Sequence, residues 1–217
     1  MHMMKKALIF GATGLIGNYL VDLLLADARY SEVVVFARRK LDKKHPKLQQ
    51  HIVDFMDPDA FGLMVEGDEL FCCLGTTIRT AGSQDAFRKV DYDLPVWLAD
   101  MAKINGIKAM LVVSSLGADK SSRNFYLRTK GEMEEKVAAA GIPKTVFARP
   151  SMLLGPRAES RTGEFIGKIF MRTFAFLIPA RYKAIHAETV ARALIVAAND
   201  EKVNGVLESE ILRKMTN

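Results

Sequence analysis

The sequence has only two cysteines, and no apolar run approaches the roughly 20 residues that a membrane-spanning helix requires. Cys72 and Cys73 are adjacent, so on a strand their side chains point to opposite faces. This placement disfavours a disulfide or a shared metal, and we expect two reduced, buried thiols and no metal site. The apolar stretch after Lys5 and Lys6 has no cleavage-like site. We therefore expect a cytoplasmic protein without a transmembrane segment.

Zinc-finger spacing and aromatic RNA-binding motifs are also missing, although the formal net charge is +6. A basic balance is typical of proteins that bind an anionic ligand, an anionic membrane surface or nucleic acid. Without a supporting motif, nucleic acid is the least favoured of these. The length of 217 residues, with 49% hydrophobic and 26% charged residues, predicts one compact domain over residues 1–217.

A glycine-rich turn near the start of the chain is the first motif with a chemical meaning. The apolar residues from Ala7 to Phe10 predict a buried parallel strand, and the residues after Gly17 have helical spacing. Gly11 allows a sharp turn, Gly14 lets a pyrophosphate approach the backbone, and Gly17 lets the helix pack on the strand. Because the helix N-terminus attracts anions, this stretch predicts nucleotide binding. An ordinary strand-to-helix turn is the alternative.

The second predicted strand, residues 33–37, ends in Arg38-Arg39-Lys40. In a dinucleotide-binding fold this position lies beside the adenosine ribose, where an acid binds a 2′-hydroxyl and a base binds a 2′-phosphate. Because guanidinium groups bind phosphate through two parallel hydrogen bonds, Arg38 and Arg39 favour NADP(H) over NAD(H). A solvated basic loop is the alternative.

The next two predicted strands end in further candidate cofactor contacts. The polar residues 43–50 predict a surface connection, and residues 51–55 predict a third strand that places Asp54 and Phe55 near an adenine. Pro58 predicts a short helix. Residues 69–74 predict a fourth strand, followed by Gly75-Thr76-Thr77, which leave room for a ribose and a diphosphate. A simple turn is again the alternative.

Two serines follow the fifth predicted strand. Residues 83–105 have helical spacing with a reset near Pro95, and residues 109–113 predict the strand. Open α/β sheets bind ligands beyond the carboxyl ends of their strands, so Ser114 and Ser115 should face the same crevice as Gly75. The sequence does not decide which serine hydroxyl points into it.

Tyr126 and Lys130 are four residues apart in the next helical stretch and therefore share a helix face. A nearby cation lowers the pKa of a phenol and suits it to acid–base catalysis. We predict that Tyr126 transfers a proton and that Ser115 orients the substrate oxygen. An ordinary amphipathic helix surface is the alternative.

The C-terminal part is expected to complete the sheet and the substrate side. Residues 145–148 predict a sixth strand, after which Arg149 and Pro150 lead toward the nicotinamide. The basic, phenylalanine-rich stretch from Phe165 to Leu177 predicts a helix that covers the core, or a lid or docking surface for a protein partner or membrane. A last helix is predicted from Ile185 and an edge strand at residues 206–207.

With these motifs the chain resembles the atypical short-chain dehydrogenases/reductases, and within them the oxidoreductase group named for the Tat-interacting protein. The resemblance lies in residues 11–17, 71–77, 114–122, 126–132, 149–150 and 159–164. It implies a Rossmann-type doubly wound parallel sheet with a small C-terminal substrate-side extension, bound NADP(H), and a catalytic set of Ser115, Tyr126 and Lys130. The predicted cofactor contacts are Gly11, Thr13, Gly14, Leu15, Ile16, Gly17, Arg38, Arg39, Asp54, Phe55, Leu74, Gly75, Thr76, Thr77, Ser114, Tyr126, Lys130, Arg149 and Pro150.

Two functions are compatible with this sequence. The first is hydride transfer between NADP(H) and a small carbonyl or alcohol substrate. The second is a regulatory protein that binds NADPH with little or no turnover and acts through protein partners on its basic stretch. An intact Ser-Tyr-Lys set favours the enzyme, because a scaffold has no need of a polarised phenol.

Overall fold

The structure is a computed structural model that describes residues 4–155 and 179–216. The stretch from Phe165 to Leu177 and the motif at residues 159–164 lie outside these ranges, so the predictions made for them stay predictions. Among the described residues, no helix has the length and apolar character needed to cross a bilayer.

The described strands form a seven-stranded parallel sheet and a separate two-stranded pair. The sheet has the order β3-β2-β1-β4-β5-β6-β9, and every neighbouring pair in it is parallel. The strands are β1 (Lys5–Phe10), β2 (Tyr30–Ala37), β3 (Leu48–Ile52), β4 (Glu69–Cys72), β5 (Ala109–Val113), β6 (Lys144–Arg149), β7 (Leu153–Leu154), β8 (Ile185–His186) and β9 (Gly205–Glu208).

Helices cover both faces of the sheet. Side chains of successive strand residues alternate between these two faces, so each strand contributes to both packing layers. Val33 and Val35 pack on one face with α1 and α6, whereas Val34 and Phe36 pack on the other with α4 and α5. The described helices are α1 (Leu15–Ala26), α2 (Ile78–Ala81), α3 (Gln84–Arg88), α4 (Leu94–Ile104), α5 (Phe125–Ala139), α6 (Ala187–Asn199) and α7 (Ser209–Lys214). This arrangement confirms the predicted doubly wound α/β fold.

Several predicted boundaries need correction. The third strand is Leu48–Ile52 rather than residues 51–55, because this edge strand forms by backbone pairing with β2 and needs no apolar pattern. The predicted helix over residues 83–105 is divided into α3, a π-helical turn at Lys89–Asp93 and α4. Pro95 lies in the first turn of α4, where its missing N–H leaves no hydrogen bond unmade.

The C-terminal region also differs in detail from the prediction. Ile185 and His186 form β8 before α6 begins at Ala187, so they are not part of that helix. A further helix, α7, follows the edge strand β9, so α6 is not the last. The edge strand itself, Gly205–Glu208, is confirmed.

Candidate functional site

The glycine turn after β1 is held by close backbone contacts. Gly11 has φ +85°, and a Cβ atom there would lie 2.4 Å from the carbonyl oxygen of Cys73. A Cβ atom at Gly17 would lie 2.2 Å from the carbonyl oxygen of Gly11. Both positions therefore require glycine, and Gly17 brings α1 against the turn as predicted.

The helix end that follows the turn is open to an anion. Gly14 is the N-cap of α1 and has no side chain to occupy the free N–H groups of the first turn. The first turn also carries no acidic residue. The positive end of the helix dipole is thus available to a phosphate from outside the chain.

Two cavities, of about 900 and 660 Å³, lie on either side of this turn. Both are lined by Thr13 and Gly14 and by the loop after β4, from Cys73 to Thr76. Two chambers that meet at a phosphate-binding turn match the shape of a dinucleotide, whose two nucleosides are joined by a pyrophosphate. The residues present therefore fit a nicotinamide dinucleotide.

The smaller cavity contains the residues predicted for the adenosine half. Arg38 and Arg39 follow β2 directly, and Asp54 and Phe55 follow β3. Sequence reasoning missed another part of the wall, which includes Thr80, Ser83, Asp85, Ala86 and Lys89. That part comes from α2, α3 and the turns around them, and no local motif marks it.

The larger cavity brings together the residues predicted for catalysis: Ser114, Ser115, Tyr126 and Lys130. The Ser114 N–H donates to the carbonyl oxygen of Ala148 at 2.7 Å, which fixes the end of β5 against β6. The Ser114 hydroxyl is buried and has no hydrogen-bond partner among the described residues. The Ser115 hydroxyl is half-buried, so both serines remain candidates for contact with a substrate oxygen.

The larger cavity also contains most of the other predicted contacts. Thr13, Leu15 and Ile16 come from the glycine turn and α1. Leu74, Gly75, Thr76 and Thr77 come from the loop after β4, and Pro150 follows β6. Lining residues that are absent from the predicted contacts include Asn18, Tyr19, Met152 and Leu153.

Helix α5 is fixed at its start and along its inner face. The Asn124 side chain caps it by accepting a hydrogen bond from the Leu127 N–H at 3.2 Å. A Cβ atom at Gly131 would lie 2.2 Å from the Lys120 backbone nitrogen, so the helix packs directly on the preceding loop. The Tyr126 ring packs on Phe87 with 5.5 Å between ring centroids. These contacts hold Tyr126 and Lys130 at the cavity wall.

Lys130 is buried and forms an ion pair with Asp91, a residue that sequence reasoning missed. The Lys130 Nζ atom lies 2.8 Å from Asp91 Oδ1, and the two side chains are 4% and 1% exposed. Burial alone would lower the pKa of Lys130, but the charge of Asp91 and interaction with Tyr126 outweigh it and raise that pKa above its usual value. Lys130 is therefore a fixed cation near neutral pH.

A signal for Asp91 is present in the sequence. Phe87, Leu94 and Leu98 form the apolar stripe of this helical region, and position 91 is four residues after Phe87 and three before Leu94. A carboxylate at a core position of an apolar stripe requires a buried partner. The partner itself, 39 residues further along the chain, is evident only in the structure.

Arg149, which the sequence predicts as a cofactor contact, is bound by two carboxylates in the structure. Its guanidinium donates to both carboxylate oxygens of Glu134, at 3.0 and 2.5 Å, and to Glu208 at 3.2 Å. It is absent from the walls of both cavities. These ion pairs attach α5 to β6 and β9, so we assign Arg149 a structural role.

The two cysteines are free thiols, as expected. Burial raises the pKa of Cys72 to about 11 and that of Cys73 still further. Both thiols are thus protonated near neutral pH, and neither has the lowered pKa of a nucleophilic cysteine.

The parallel sheet, the glycine turn after β1 and the Tyr-Lys pair on α5 together define a nucleotide-binding protein of the short-chain dehydrogenase/reductase fold. Sequence comparison agrees with this class: a family described as NAD(P)H-binding matches residues 11–201. The chain belongs to this NAD(P)H-binding family.

Curated relatives support the narrower resemblance. The chain is 37% identical over 195 residues to Protein HTATIP2 of Rattus norvegicus, a match that covers 88% of this chain and 80% of that protein. It is 31% identical to Protein FMP52, mitochondrial, of Candida albicans, covering 94% of this chain and 92% of that protein. The resemblance to the group named for the Tat-interacting protein is thus confirmed. A cytoplasmic location stays a prediction, since the fungal relative is named mitochondrial.

Solved structures confirm the fold. One similar structure is a UDP-N-acetylglucosamine 4-epimerase from Methanobrevibacter ruminantium M1 in complex with UDP-N-acetylmuramic acid. The match has a TM-score of 0.74 and 20% sequence identity, and it covers 94% of this chain and 76% of the epimerase chain. MoeE5, in complex with UDP-glucose and NAD, matches 97% of this chain and 80% of its own with a TM-score of 0.71 and 18% identity.

Proposed function

We propose that this protein is an NADP(H)-dependent oxidoreductase that acts on a carbonyl or alcohol group of a small molecule. The observation that carries the proposal is the larger cavity, which two serines, Tyr126 and Lys130 line together with the glycine turn. The buried Ser114 hydroxyl supports it further, because such a group needs a hydrogen-bond partner and none of the described residues supplies one.

Each residue has a role set by its surroundings. Lys130, held as a cation, stabilises the negative charge that develops on the Tyr126 oxygen and binds the nicotinamide ribose. Tyr126 donates a proton to the substrate oxygen in reduction and removes it in oxidation. Ser115, or Ser114, donates a hydrogen bond to the same oxygen. When bound, the nicotinamide gives or accepts the hydride.

The preference for NADP(H) is part of this proposal. Arg38 and Arg39 are exposed at the rim of the smaller cavity and carry no resolved ion pair among the described residues. The chain has no acidic residue in the three positions after β2 that would bind a ribose 2′-hydroxyl. Two guanidinium groups at this place suit a 2′-phosphate.

Replacing Tyr126 by phenylalanine tests the catalytic role. We expect Tyr126→Phe to lower NADPH-dependent turnover by about 10²–10⁴-fold, because the proton donor is removed while the ring and its contact with Phe87 remain. The measurement is NADPH oxidation across a panel of small aldehydes and ketones, with NADPH affinity measured in parallel.

Tyr92→Phe is the matched control. Tyr92 lies outside both cavities, and its ring stacks under the Arg88 guanidinium, 3.9 Å from its centroid, which phenylalanine preserves. Turnover in this variant should equal that of the wild type. Equal turnover in wild type and Tyr126→Phe would exclude the assignment.

A further inference from the structure

We propose that Asp91 is a positioning residue that holds Lys130 in place beside Tyr126 and ties it to the phosphate-side loop Gly75-Thr76-Thr77. The functional consequence rests on the proposed function, whereas the role of Asp91 toward Lys130 can be tested without any cofactor. Asp91 itself is not a catalytic residue, because it acts through its two neighbours.

The two carboxylate oxygens of Asp91 serve two different parts of the site. Oδ1 lies 2.8 Å from Lys130 Nζ on α5, and Oδ2 accepts a hydrogen bond from the Thr76 backbone N–H at 2.9 Å. Asp91 is fully buried. One side chain therefore connects the catalytic helix with the loop that follows β4.

The local backbone explains how an aspartate comes to lie there. Asp91 is at the centre of the π-helical turn Lys89–Asp93, between α3 and α4. The turn inserts an extra residue into a helical region whose Phe87 and Leu94 are in the core, and such insertions occur often at functional sites. Gly75 lies directly beside the carboxylate: a Cβ atom at that position would be in ordinary van der Waals contact with Asp91 Oδ1, at 3.5 Å.

The charges around Lys130 show what Asp91 contributes. The groups that face the ammonium are Asp91 from the π turn, Tyr126 from α5 and Cys72 from β4. Burial keeps the Cys72 thiol neutral, with a pKa of about 11. Asp91 is thus the carboxylate that balances the buried cation. Without it, burial would favour the neutral amine, which can neither polarise the Tyr126 oxygen nor attract its charge.

The direct test is an NMR titration of the Lys130 side chain in the protein without added cofactor. The ¹³Cε signal of Lys130 is assigned by its loss in Lys130→Arg and followed with pH in the wild type, Asp91→Asn and Asp93→Asn. Asp91→Asn keeps the shape of the side chain and the acceptor for Thr76 but removes the charge. Asp93 lies on the same turn, is exposed, and is the matched control.

We expect the wild-type signal to titrate above the ordinary range of a lysine side chain, because Asp91 stabilises the charged form, and we expect Asp91→Asn to lower the midpoint. Asp93→Asn should leave it within about half a unit of the wild type. A wild-type midpoint below the ordinary range of a lysine side chain, or an unchanged midpoint in Asp91→Asn, would overturn the proposal. If Asp91→Asn does not fold, the wild-type titration alone tests whether Lys130 is held in its charged form.

A second measurement connects Lys130 to the cofactor. NADPH affinity of the wild type should be nearly constant between pH 7 and 9.5, whereas that of Asp91→Asn should fall by about tenfold as Lys130 loses its proton. Parallel pH curves in the two proteins would contradict the coupling of Asp91 to the cofactor site. If the wild type binds no NADPH, the proposed function fails, and the titration of Lys130 still decides whether Asp91 holds it.

Discussion

At Gly11 the backbone combines a left-handed φ of +85° with a close approach to Cys73, whose carbonyl oxygen would lie 2.4 Å from a Cβ atom. We expect Gly11→Ala to destabilise the fold by more than the about 1–2 kcal/mol that left-handed backbone costs a non-glycine residue. The additional loss comes from the clash with Cys73. Because the turn also presents the helix N-terminus, NADPH affinity should fall by at least about tenfold, as measured by fluorescence titration beside denaturant unfolding.

Gly106→Ala separates these two causes. Gly106 has φ +70°, and a Cβ atom there would meet nothing within 4 Å. This variant should show the backbone penalty alone and bind NADPH as the wild type does. Equal losses of stability in the two variants would show that the contact with Cys73 is not the constraint at Gly11.

Local spacing predicts the role of a residue well when that role depends only on neighbouring residues in the sequence. The glycine turn, the arginines after β2 and the pair Tyr126 and Lys130 are of this kind, and the structure brings each to a cavity wall. Asp91 was missed because its partner is distant in sequence. The ion pairs of Arg149 were missed for the same reason, since its position at the end of a strand says nothing about Glu134 and Glu208.

Among the elements, α5 depends on the ion pairs of Arg149 for its attachment to the sheet. We expect Arg149→Met to lower the free energy of unfolding by about 1–3 kcal/mol, because the buried Glu134 carboxylate loses two hydrogen bonds. NADPH affinity should change less than about twofold, because Arg149 lies away from both cavities. Urea unfolding and a binding titration measure the two effects.

Arg192→Met is the control for a surface ion pair. Arg192 and Glu188 are both exposed and four residues apart on α6, so their pair contributes only about 0.3–0.5 kcal/mol. A large loss of NADPH affinity in Arg149→Met at unchanged stability would instead restore Arg149 to the cofactor site.

The elements that the sequence predicts best are the buried central strands, whose apolar runs reflect burial on both faces. The position of β3 was predicted incorrectly, because an edge strand with exposed residues has no such pattern. The division of residues 83–105 was predicted near Pro95, but the π-helical turn was not, since it depends on packing around Asp91 rather than on local propensity.

For the molecule as a whole, the two ends of the sheet carry different tasks. The cavities lie at the carboxyl ends of the strands, whereas a partly buried polar network of Lys5, Tyr30, Glu69 and Asn199 lies at the amino ends of β1, β2 and β4. The Tyr30 hydroxyl donates to Glu69 at 2.6 Å and accepts from Asn199 at 2.9 Å. The network joins the sheet to the end of α6.

Removing this hydroxyl should affect stability without affecting the site. We expect Tyr30→Phe to lower the free energy of unfolding by about 1–3 kcal/mol, since a buried carboxylate oxygen loses its donor. NADPH affinity, measured at a temperature where the variant is folded, should stay within about twofold of the wild type. A stability equal to that of the wild type would show that the network contributes nothing measurable.

The doubly wound parallel sheet and the position of the crevice were predictable as a whole, because parallel strands are joined by right-handed crossovers and open α/β sheets bind ligands at the carboxyl ends of their strands. The C-terminal pairing of β7 with β8 was not predictable, since each strand has only two residues and no periodicity to detect.

The central claim is that the crevice around the glycine turn binds NADP(H) and recognises the 2′-phosphate through Arg38 and Arg39. Calorimetric titration of NADPH and NADH against the wild type and the Arg38→Ala/Arg39→Ala variant tests it most directly. We predict that NADPH binds the wild type at least about tenfold more tightly than NADH, and that the variant loses most of this difference while NADH affinity is unchanged. Equal affinities in the wild type, or a preference that survives in the variant, would contradict the claim.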